Sequence, residues 1–334
     1  MKIIRSTSKK LEKIYNRQFL RSKRIEDKVR RILEDVRTGG DDAVIKYTRK
    51  FDKVKLTSKQ LKVSQIEISG AYQNITPNFV SNLKIIIENV NRFYRKSIRK
   101  SWRIKGGDGL VLGEEYQPLE KVGIYIPAGT APLASTVYMT VLPAKVAGVK
   151  RIVLASPPDK RGFINPHILV LADLLKVDEV YRMGGAQAIG ALAFGTKTIP
   201  KVHKIVGPGN VYVSEAKRQV FGYVDIDMIA GPTELVVIAN RFSDPRFIIA
   251  DLKAQAEHTG GLAILITNSK SLASQIKGQM GDASGYIILT KNLEEAAEIS
   301  NNIAPEHLEI LVQNSRRLLK KIRHAGAIFL GPYS

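Results

Sequence analysis

The sequence predicts an α/β protein with two Rossmann-like, doubly wound domains and a helical N-terminal region. From residue 121 onward, short apolar runs alternate with helical patterns, which is typical of a parallel sheet with helical crossovers. Nine such runs exceed the five or six strands of an average sheet. The length of 334 residues also corresponds to roughly two domains. Two sheets are therefore the simpler arrangement.

The first hundred residues are mostly helical in pattern. Ile25, Val29 and Ile32 recur at steps of three and four, which places them on one face of a helix. The same periodicity continues amphipathically through Asp41–Phe51 and again through Val80–Phe93. This region is therefore predicted to be helical, with its charged residues on the outer faces.

The predicted strands follow a glycine-rich break at Gly106–Gly109. The strand candidates are Val122–Ile126, Arg151–Ala155, Glu179–Met183, Lys204–Val206, Leu235–Ala239, Leu262–Thr267, Tyr286–Thr290, Leu308–Val312 and Ala327–Leu330. Helical patterns lie between most of them, at Pro166–Leu175, Ala186–Gly195, Val211–Phe221 and Pro245–His258. Because helices separate the strands, the sheets should be mostly parallel.

The composition excludes several classes of protein. There is no cysteine, which removes disulfide scaffolds, thiolate zinc sites, iron–sulfur clusters and cysteine nucleophiles. No apolar run approaches the roughly 18–20 residues of a membrane span. Met1–Lys10 is polar and basic without an apolar signal segment, so we expect a cytoplasmic protein.

The formal net charge is +21, and most of it lies in the first hundred residues. Residues 1–100 contain 26 Lys and Arg against 10 Asp and Glu, a net charge of +16. One interpretation is a solvated helix face, and the other is an electrostatic footprint for a polyanion. Because no nucleic-acid-binding motif is present, we do not expect nucleic acid as a partner.

Four Gly/Pro-rich turns predict a ligand crevice. In an open α/β sheet, ligands bind outside the carboxyl ends of the strands, and glycine lets the backbone approach them. A following helix N-terminus suits an anion. The dinucleotide fingerprint G-x-G-x-x-G and the Walker P-loop are both absent. The turns are Pro127–Gly129, Gly184–Gln187, Gly207–Asn210 and Gly231–Glu234.

Two further clusters contain side chains that are suited to ligand binding or proton transfer. Gln255 and His258 are three residues apart near the end of a predicted helix that starts at Asp244-Pro245, so they share a face. They could address one ligand, or His258 could only complement the helix dipole. Glu306 and His307 adjoin at a loop–strand junction, where they are either two proton-transfer groups or exposed polar residues. The remaining histidines, His167, His203 and His324, are interpreted as structural.

Taken together and in order, the motifs resemble histidinol dehydrogenase over nearly everything after about residue 20. The matching segments are Val122–Pro127, Pro132–Val149, Gly184–Gly195, Gly207–Asn210, Glu215–Arg218, Asp225–Glu234, Asp251–His258 and Ala304–Leu308. The resemblance implies oxidation of L-histidinol to L-histidine, the final steps of histidine biosynthesis. It implies two successive steps through a bound aldehyde, each reducing one NAD, and a homodimer without a membrane partner.

The resemblance also assigns roles to individual residues. It implies that NAD contacts Tyr125, Gln187 and Asn210, and that Glu306 and His307 are the catalytic pair. The substrate-binding residues that it implies are Thr233, Gln255, His258 and His307. Gln255 and His258 match two ligands of a Zn²⁺ ion that holds the substrate as a template.

The family arrangement implies a divided first domain. Residues 1–15 are then an N-terminal arm, residues 16–122 join residues 234–334 in the first Rossmann-like domain, and residues 123–233 form the second, NAD-binding domain. Family members continue beyond the position of Ser334 with a tail that supplies the other two zinc ligands. We therefore expect a truncated chain. The alternative function is a catalytically impaired remnant that binds NAD or a polyanion through its basic N-terminal region.

Overall fold

The computed structural model describes residues 1–16, 22–128, 133–229, 231, 233–257 and 261–333. The chain divides into two compact units, each built on a parallel sheet. The central unit is Arg21–Ala230, and the terminal unit combines Met1–Leu20 with Gly231–Ser334. The predicted α/β class with two doubly wound sheets is confirmed.

The described residues contain thirteen strands and thirteen helices. The strands are β1 (Lys2–Arg5), β2 (Trp102–Lys105), β3 (Val111–Glu114), β4 (Lys121–Tyr125), β5 (Arg151–Ser156), β6 (Glu179–Arg182), β7 (Lys204–Val206), β8 (Asp225–Ile226), β9 (Glu234–Ala239), β10 (Leu262–Thr267), β11 (Tyr286–Leu289), β12 (His307–Ile310) and β13 (Ala327–Leu330). The helices are α1 (Lys10–Tyr15), α2 (Lys23–Phe51), α3 (Ser58–Leu61), α4 (Gln65–Ala71), α5 (Pro77–Tyr94), α6 (Ala134–Val146), α7 (Pro166–Leu174), α8 (Gly185–Phe194), α9 (Val211–Val220), α10 (Pro245–Ala256), α11 (Lys270–Met280), α12 (Leu293–Ile303) and α13 (Ser315–Leu319). None of these helices is long and apolar enough to cross a membrane.

The central unit has a five-stranded parallel sheet in the order β6-β5-β4-β7-β8. Its strands are almost entirely buried because helices cover both faces, and this explains their continuous apolar runs. Helices α2, α8 and α9 contribute to the apolar core on one face, and α4 to α7 to the core on the other. The strand order reverses between β4 and β7, which makes their carboxyl ends the topological switch point.

Helix α2 is kinked at Gly40, whose φ of 54° and ψ of −131° are not helical. A left-handed φ of this kind suits glycine. The segment before the kink packs on α8, where a Cβ at Gly190 would lie 3.1 Å from Leu33 and 3.3 Å from Val36. After the kink, Asp41 accepts hydrogen bonds from the hydroxyls of Thr196 and Thr198, just beyond α8.

The terminal unit has a six-stranded parallel sheet in the order β1-β11-β10-β9-β12-β13. The strand order reverses between β9 and β12. Helices α10 and α11 contribute to the core on one face, and α1, α12 and α13 to the core on the other. Both units therefore follow the doubly wound pattern.

The compact units divide the chain differently from the domains that the family arrangement implied. The helices between residues 23 and 94 belong to the central unit with β4, where Tyr72 also donates a hydrogen bond of 2.8 Å to Asp173. The expected N-terminal arm contains β1, which pairs in parallel with β11 and buries Ile4. Four residues are too few for a clear periodic pattern in the sequence.

The glycine-rich break at Gly106–Gly109 is the turn of an antiparallel hairpin formed by β2 and β3. Every residue of both strands is exposed, including Ile104 and Leu112, which are 56% and 54% exposed. This hairpin was not predicted from the sequence because its strands are short and no face of them is buried.

Candidate active site

Tyr125 ends β4 at the switch point of the central sheet. Its side chain is 4% exposed, and its hydroxyl accepts a hydrogen bond of 3.0 Å from the backbone N–H of Gly185. Burial raises the pKa of the Tyr125 phenol to about 12, the bond from Gly185 opposes the shift, and the charge of Asp52 adds to it. At neutral pH the side chain is therefore an uncharged hydroxyl at the start of α8.

Gln187 lies in the first turn of α8 and is only 1% exposed. Neither its amide oxygen nor its amide nitrogen has a hydrogen-bond partner among the described residues. The backbone at Gly185 is left-handed, with φ of 61°, and a Cβ there would lie 2.9 Å from the Gln187 oxygen. Because a buried amide without partners is costly, Gln187 is a candidate to bind a ligand.

Asn210 caps the N-terminus of α9. Its side-chain oxygen accepts hydrogen bonds of 3.0 Å and 3.2 Å from the backbone N–H groups of Tyr212 and Val213. The cap uses the oxygen, so the amide nitrogen is the atom that would contact a ligand. The structure therefore places Tyr125, Gln187 and Asn210 on segments at the carboxyl ends of the central strands, as the turn pattern predicted.

An ion pair between a buried lysine and a partly exposed aspartate holds the turn that carries Asn210. Lys217 of α9 is 2% exposed and donates to the backbone oxygen of Gly207 at 2.9 Å and to the carboxylate of Asp227. Asp227 in turn accepts from the backbone N–H of Gly207 at 2.8 Å. Sequence reasoning missed this pair, although a lysine on the apolar face of α9 was a signal that could have revealed it.

Asp52 was also missed. It follows the last residue of α2, and one of its carboxylate oxygens is buried without a hydrogen-bond partner among the described residues. Burial raises the pKa of this carboxyl to about 6. Its charge acts on Tyr125, so it belongs to the same edge of the central unit.

In the terminal unit, Thr233 and Gln255 are directly bonded. The Gln255 amide nitrogen donates to the backbone oxygen of Thr233 at 2.8 Å and to its hydroxyl at 3.2 Å. Gln255 lies near the end of α10, which begins at Pro245 under an Asp244 cap, as predicted. Because the nitrogen is bound to Thr233, the oxygen is the Gln255 amide atom that would contact a ligand. His258 lies outside the described residues.

Glu306 and His307 lie at the junction between a loop and β12, as predicted. Helix α12 ends at Ala304, whose φ of 49° is left-handed, and Pro305 prevents the helix from continuing. The backbone N–H of Glu306 donates to the carboxylate of Glu234 at 3.4 Å. His307 begins β12 opposite Leu235 of β9.

These residues meet at the amino-terminal edge of the terminal sheet. Thr233 and Glu234 are adjacent at the start of β9, so the contacts of Gln255 and Glu306 with them bring all four residues together. The predicted residues of the central unit lie at carboxyl ends of strands, whereas this cluster lies at amino ends. The cluster forms here because α10 runs antiparallel to β9 and ends beside its first residue.

A pair of carboxyl groups lies next to this cluster and was not predicted. Glu309 shares the sheet face of His307, and its side chain is hydrogen-bonded to Asp251 of α10. Burial and the neighbouring Asp251 charge raise the pKa of Glu309 to about 7. The sequence signal that could have revealed this pair is the acidic Glu309 among the apolar residues of a predicted core strand.

The fold and these two edges define a doubly wound α/β protein with polar clusters at strand ends. A family model described as histidinol dehydrogenase matches residues 15–334. The histidinol dehydrogenase of Clostridium acetobutylicum is 47% identical, over 98% of this chain and 79% of its own length. That of Listeria innocua is also 47% identical, over 94% of this chain and 77% of its own length.

A crystal structure of histidinol dehydrogenase from Elizabethkingia anophelis has the same fold. It superposes with a TM-score of 0.93 and 36% sequence identity, covering 100% of this chain and 81% of that one. The chain therefore belongs to the histidinol dehydrogenase family, a family of oxidoreductase enzymes. The resemblance stated from the motifs is confirmed.

Proposed function

We propose that this chain oxidises L-histidinol to L-histidine in two NAD-dependent steps through a bound aldehyde. The observation that carries the proposal is the cluster at the amino edge of the terminal sheet. There, Gln255 is bonded to Thr233, and Glu306 is bonded to the next residue along β9. The resemblance assigns substrate binding and catalysis to these residues, and relatives named histidinol dehydrogenase are 47% identical over nearly the whole chain.

In the proposed reaction, His307 removes the hydroxyl proton while the alcohol carbon gives its hydride to NAD. Water then adds to the aldehyde, and Glu306 takes a proton from that water. The resulting hydrate anion gives a second hydride to a second NAD and becomes the carboxylic acid of histidine, which ionises by releasing its proton to water. This sequence needs no thiol nucleophile, which agrees with a chain that has no cysteine.

We propose that NAD binds at the carboxyl edge of the central sheet, where it accepts the hydride when bound. The support is the amide of Gln187, which is buried and unpartnered among the described residues beside the hydroxyl of Tyr125. Asn210 offers an amide nitrogen from its position as the N-cap of α9. These groups would orient the dinucleotide through hydrogen bonds.

We propose that Gln255 and His258 would be two ligands of a zinc ion. Because the Gln255 nitrogen is bonded to Thr233, the oxygen is the amide atom that would contact the ion. Within the described ranges, no group of three or more His, Asp or Glu side chains could hold a metal ion. Zinc sites normally use three or four protein ligands. The described residues therefore fit part of a zinc site, and none of the steps above passes through zinc.

We also propose that the chain forms a homodimer through the β2–β3 hairpin and acts in the cytoplasm. An isolated two-stranded hairpin is marginal in water, and this one exposes Trp102, Ile104 and Leu112. Beside it, Ile98, Tyr116 and Met139 line an apolar groove. A second copy would cover these surfaces, so replacing Ile104 and Leu112 with Lys should convert a dimer into a monomer in light scattering.

The experiment that tests the catalytic proposal measures NADH from the purified chain with L-histidinol and NAD, with and without added Zn²⁺. The expected result is two NADH for each histidine formed. Absence of NADH under both conditions would contradict the enzyme. If the chain then bound duplex nucleic acid with strong salt dependence, the result would favour the remnant that binds polyanions through its basic helices.

A further inference from the structure

We propose that Asp52 is a further ligand-binding residue of the central unit and that it accepts hydrogen bonds from uncharged donor groups of the dinucleotide. This inference rests on the proposed NAD function of the same edge. It adds a residue to the three that the resemblance implies for NAD, and it specifies the part of the ligand that this residue contacts.

The path of α2 brings Asp52 to the edge where Tyr125 lies. The second segment of the helix begins at Asp41, which is bonded to Thr196 and Thr198 just beyond the end of α8. The segment ends at Asp52, whose charge acts on Tyr125. The hydroxyl of Tyr125 is bonded to the first residue of α8. The segment therefore spans α8 from its end to its beginning.

Four buried polar atoms, on three side chains at this end, lack hydrogen-bond partners among the described residues. They are the hydroxyl of Thr48, one carboxylate oxygen of Asp52 and both amide atoms of Gln187. Thr48 is fully buried and lies one helical turn before Asp52, so the two share a face of α2. Native proteins rarely leave buried polar groups unpaired, and such groups together indicate a site that a ligand completes.

Asp41, in the same helix, is an aspartate with a structural role and can be compared with Asp52. It is 8% exposed, and its carboxylate accepts hydrogen bonds from two threonine hydroxyls and from the backbone N–H of Thr198. Asp52 has a comparable position at the opposite end of the segment but an unpartnered oxygen. The contrast distinguishes Asp41, whose hydrogen bonds stabilise the fold, from Asp52, whose carboxylate is available to a ligand.

The chemistry of the three groups selects the ligand atoms. A carboxylate accepts hydrogen bonds and repels phosphate, so Asp52 would face a neutral donor. The amide of Gln187 can donate and accept at once. Ribose hydroxyls and the nicotinamide carboxamide both supply such donors and acceptors. The diphosphate would have to lie away from Asp52.

The test compares Asp52→Asn with Asp41→Asn as the matched control, using the full chain. Affinities for NAD and for ADP-ribose are measured by calorimetry, and melting temperature is measured without ligand. We expect Asp52→Asn to weaken NAD binding by about 10–100-fold, the range for hydrogen bonds to a charged group. Its melting temperature at pH 8 should not fall, because the substitution removes an unpaired buried charge. Asp41→Asn should lower the melting temperature and leave NAD affinity unchanged.

The ADP-ribose measurement distinguishes the two donors. Equal weakening for NAD and ADP-ribose assigns the contact to a ribose, and weakening for NAD alone assigns it to the carboxamide. The inference is overturned if wild-type chain binds NAD and Asp52→Asn binds it equally well. It is also overturned if Asp52→Asn loses stability and affinity together, as a structural residue would. If wild-type chain does not bind NAD, the proposed function itself fails.

Discussion

Lys217 and Asp227 form an ion pair that holds Gly207 at both its N–H and its carbonyl. The ammonium of Lys217 donates to the Gly207 carbonyl, and the carboxylate of Asp227 accepts from the Gly207 N–H. Lys217 is 2% exposed, so its ammonium is hydrogen-bonded to these two partners in place of water. The pair therefore fixes the turn that leads to Asn210 and the start of α9.

Replacing Lys217 with Met should destabilise the central unit and weaken NAD binding. The substitution removes the hydrogen bonds of the buried ammonium to Gly207 and Asp227, at a cost of about 1–3 kcal/mol, because the Asp227 carboxylate that remains is 31% exposed to solvent. Lys204→Met is the control, because Lys204 pairs with a half-exposed Asp225 and should cost about 0–1 kcal/mol. Chemical denaturation of both variants measures the difference, and equal losses would contradict the role given to Lys217.

Gly207→Ala should be more damaging than its size suggests. Gly207 has φ of 119°, and a Cβ there would overlap the carbonyl oxygen of Tyr125. We expect a loss of about 3 kcal/mol or more in the free energy of unfolding. Gly109→Ala, with φ of 78° but open space around it, should cost about 1–2 kcal/mol for backbone strain alone. A smaller loss at Gly207 than at Gly109 would refute the close approach.

Glu309 should make stability fall as pH rises from about 4.5 to about 7. Its folded pKa, about 7, lies above the unfolded value near 4.5. The folded state therefore holds the proton more tightly, and deprotonation costs stability. Glu309→Gln mimics the protonated form and should be more stable than wild type at pH 8 by about 1–2 kcal/mol, allowing for solvent screening. The two proteins should differ little at pH 4, which urea denaturation at both pH values would check.

Gln255→Ala should abolish most activity with little loss of stability. The substitution removes the amide nitrogen that bonds to Thr233 and the amide oxygen that we propose contacts the ligand. A loss of about 100-fold or more in kcat/KM is expected, because positioning is lost as well as one contact. Gln219→Ala is the control, since Gln219 also donates to a backbone oxygen, that of Glu26, but lies outside the predicted site. Similar activity losses in both variants would argue against the assignment of Gln255.

Glu306→Gln and His307→Gln should block different steps. Without His307 the first hydride transfer loses its base, so NADH formation from L-histidinol should fall by about 100-fold or more. Without Glu306 the second oxidation should be the impaired one, so aldehyde should accumulate with about one NADH for each histidinol consumed. Single-turnover reactions that are stopped by rapid quenching and analysed for NADH, aldehyde and histidine distinguish these outcomes. Identical product ratios in the two variants would contradict the division of roles.

The local elements were largely predictable from the sequence. Asp244 and Pro245 marked the start of α10, and the Ala304-Pro305 step ended a helix just before Glu306 and His307. These signals work because capping, proline geometry and periodic burial act within a few residues of chain. The turn that carries Gln187 was recognised for the same reason.

Partners that are distant in sequence were not predictable. The charge of Asp52 acts on Tyr125 only because α2 packs along α8. Glu309 meets Asp251 only because α10 covers that face of the terminal sheet. The grouping of β1 with β11 likewise depends on a pairing across almost the whole chain.

The sequence by itself determined the α/β class, the order of most strands and helices, the family and the residues of the predicted site. The tertiary structure decided which charges are buried, which buried polar groups lack partners, and at which sheet edge each cluster lies. The physical reason is that periodicity and turn chemistry are local, whereas desolvation and ion pairing depend on segments that only the packed fold brings together.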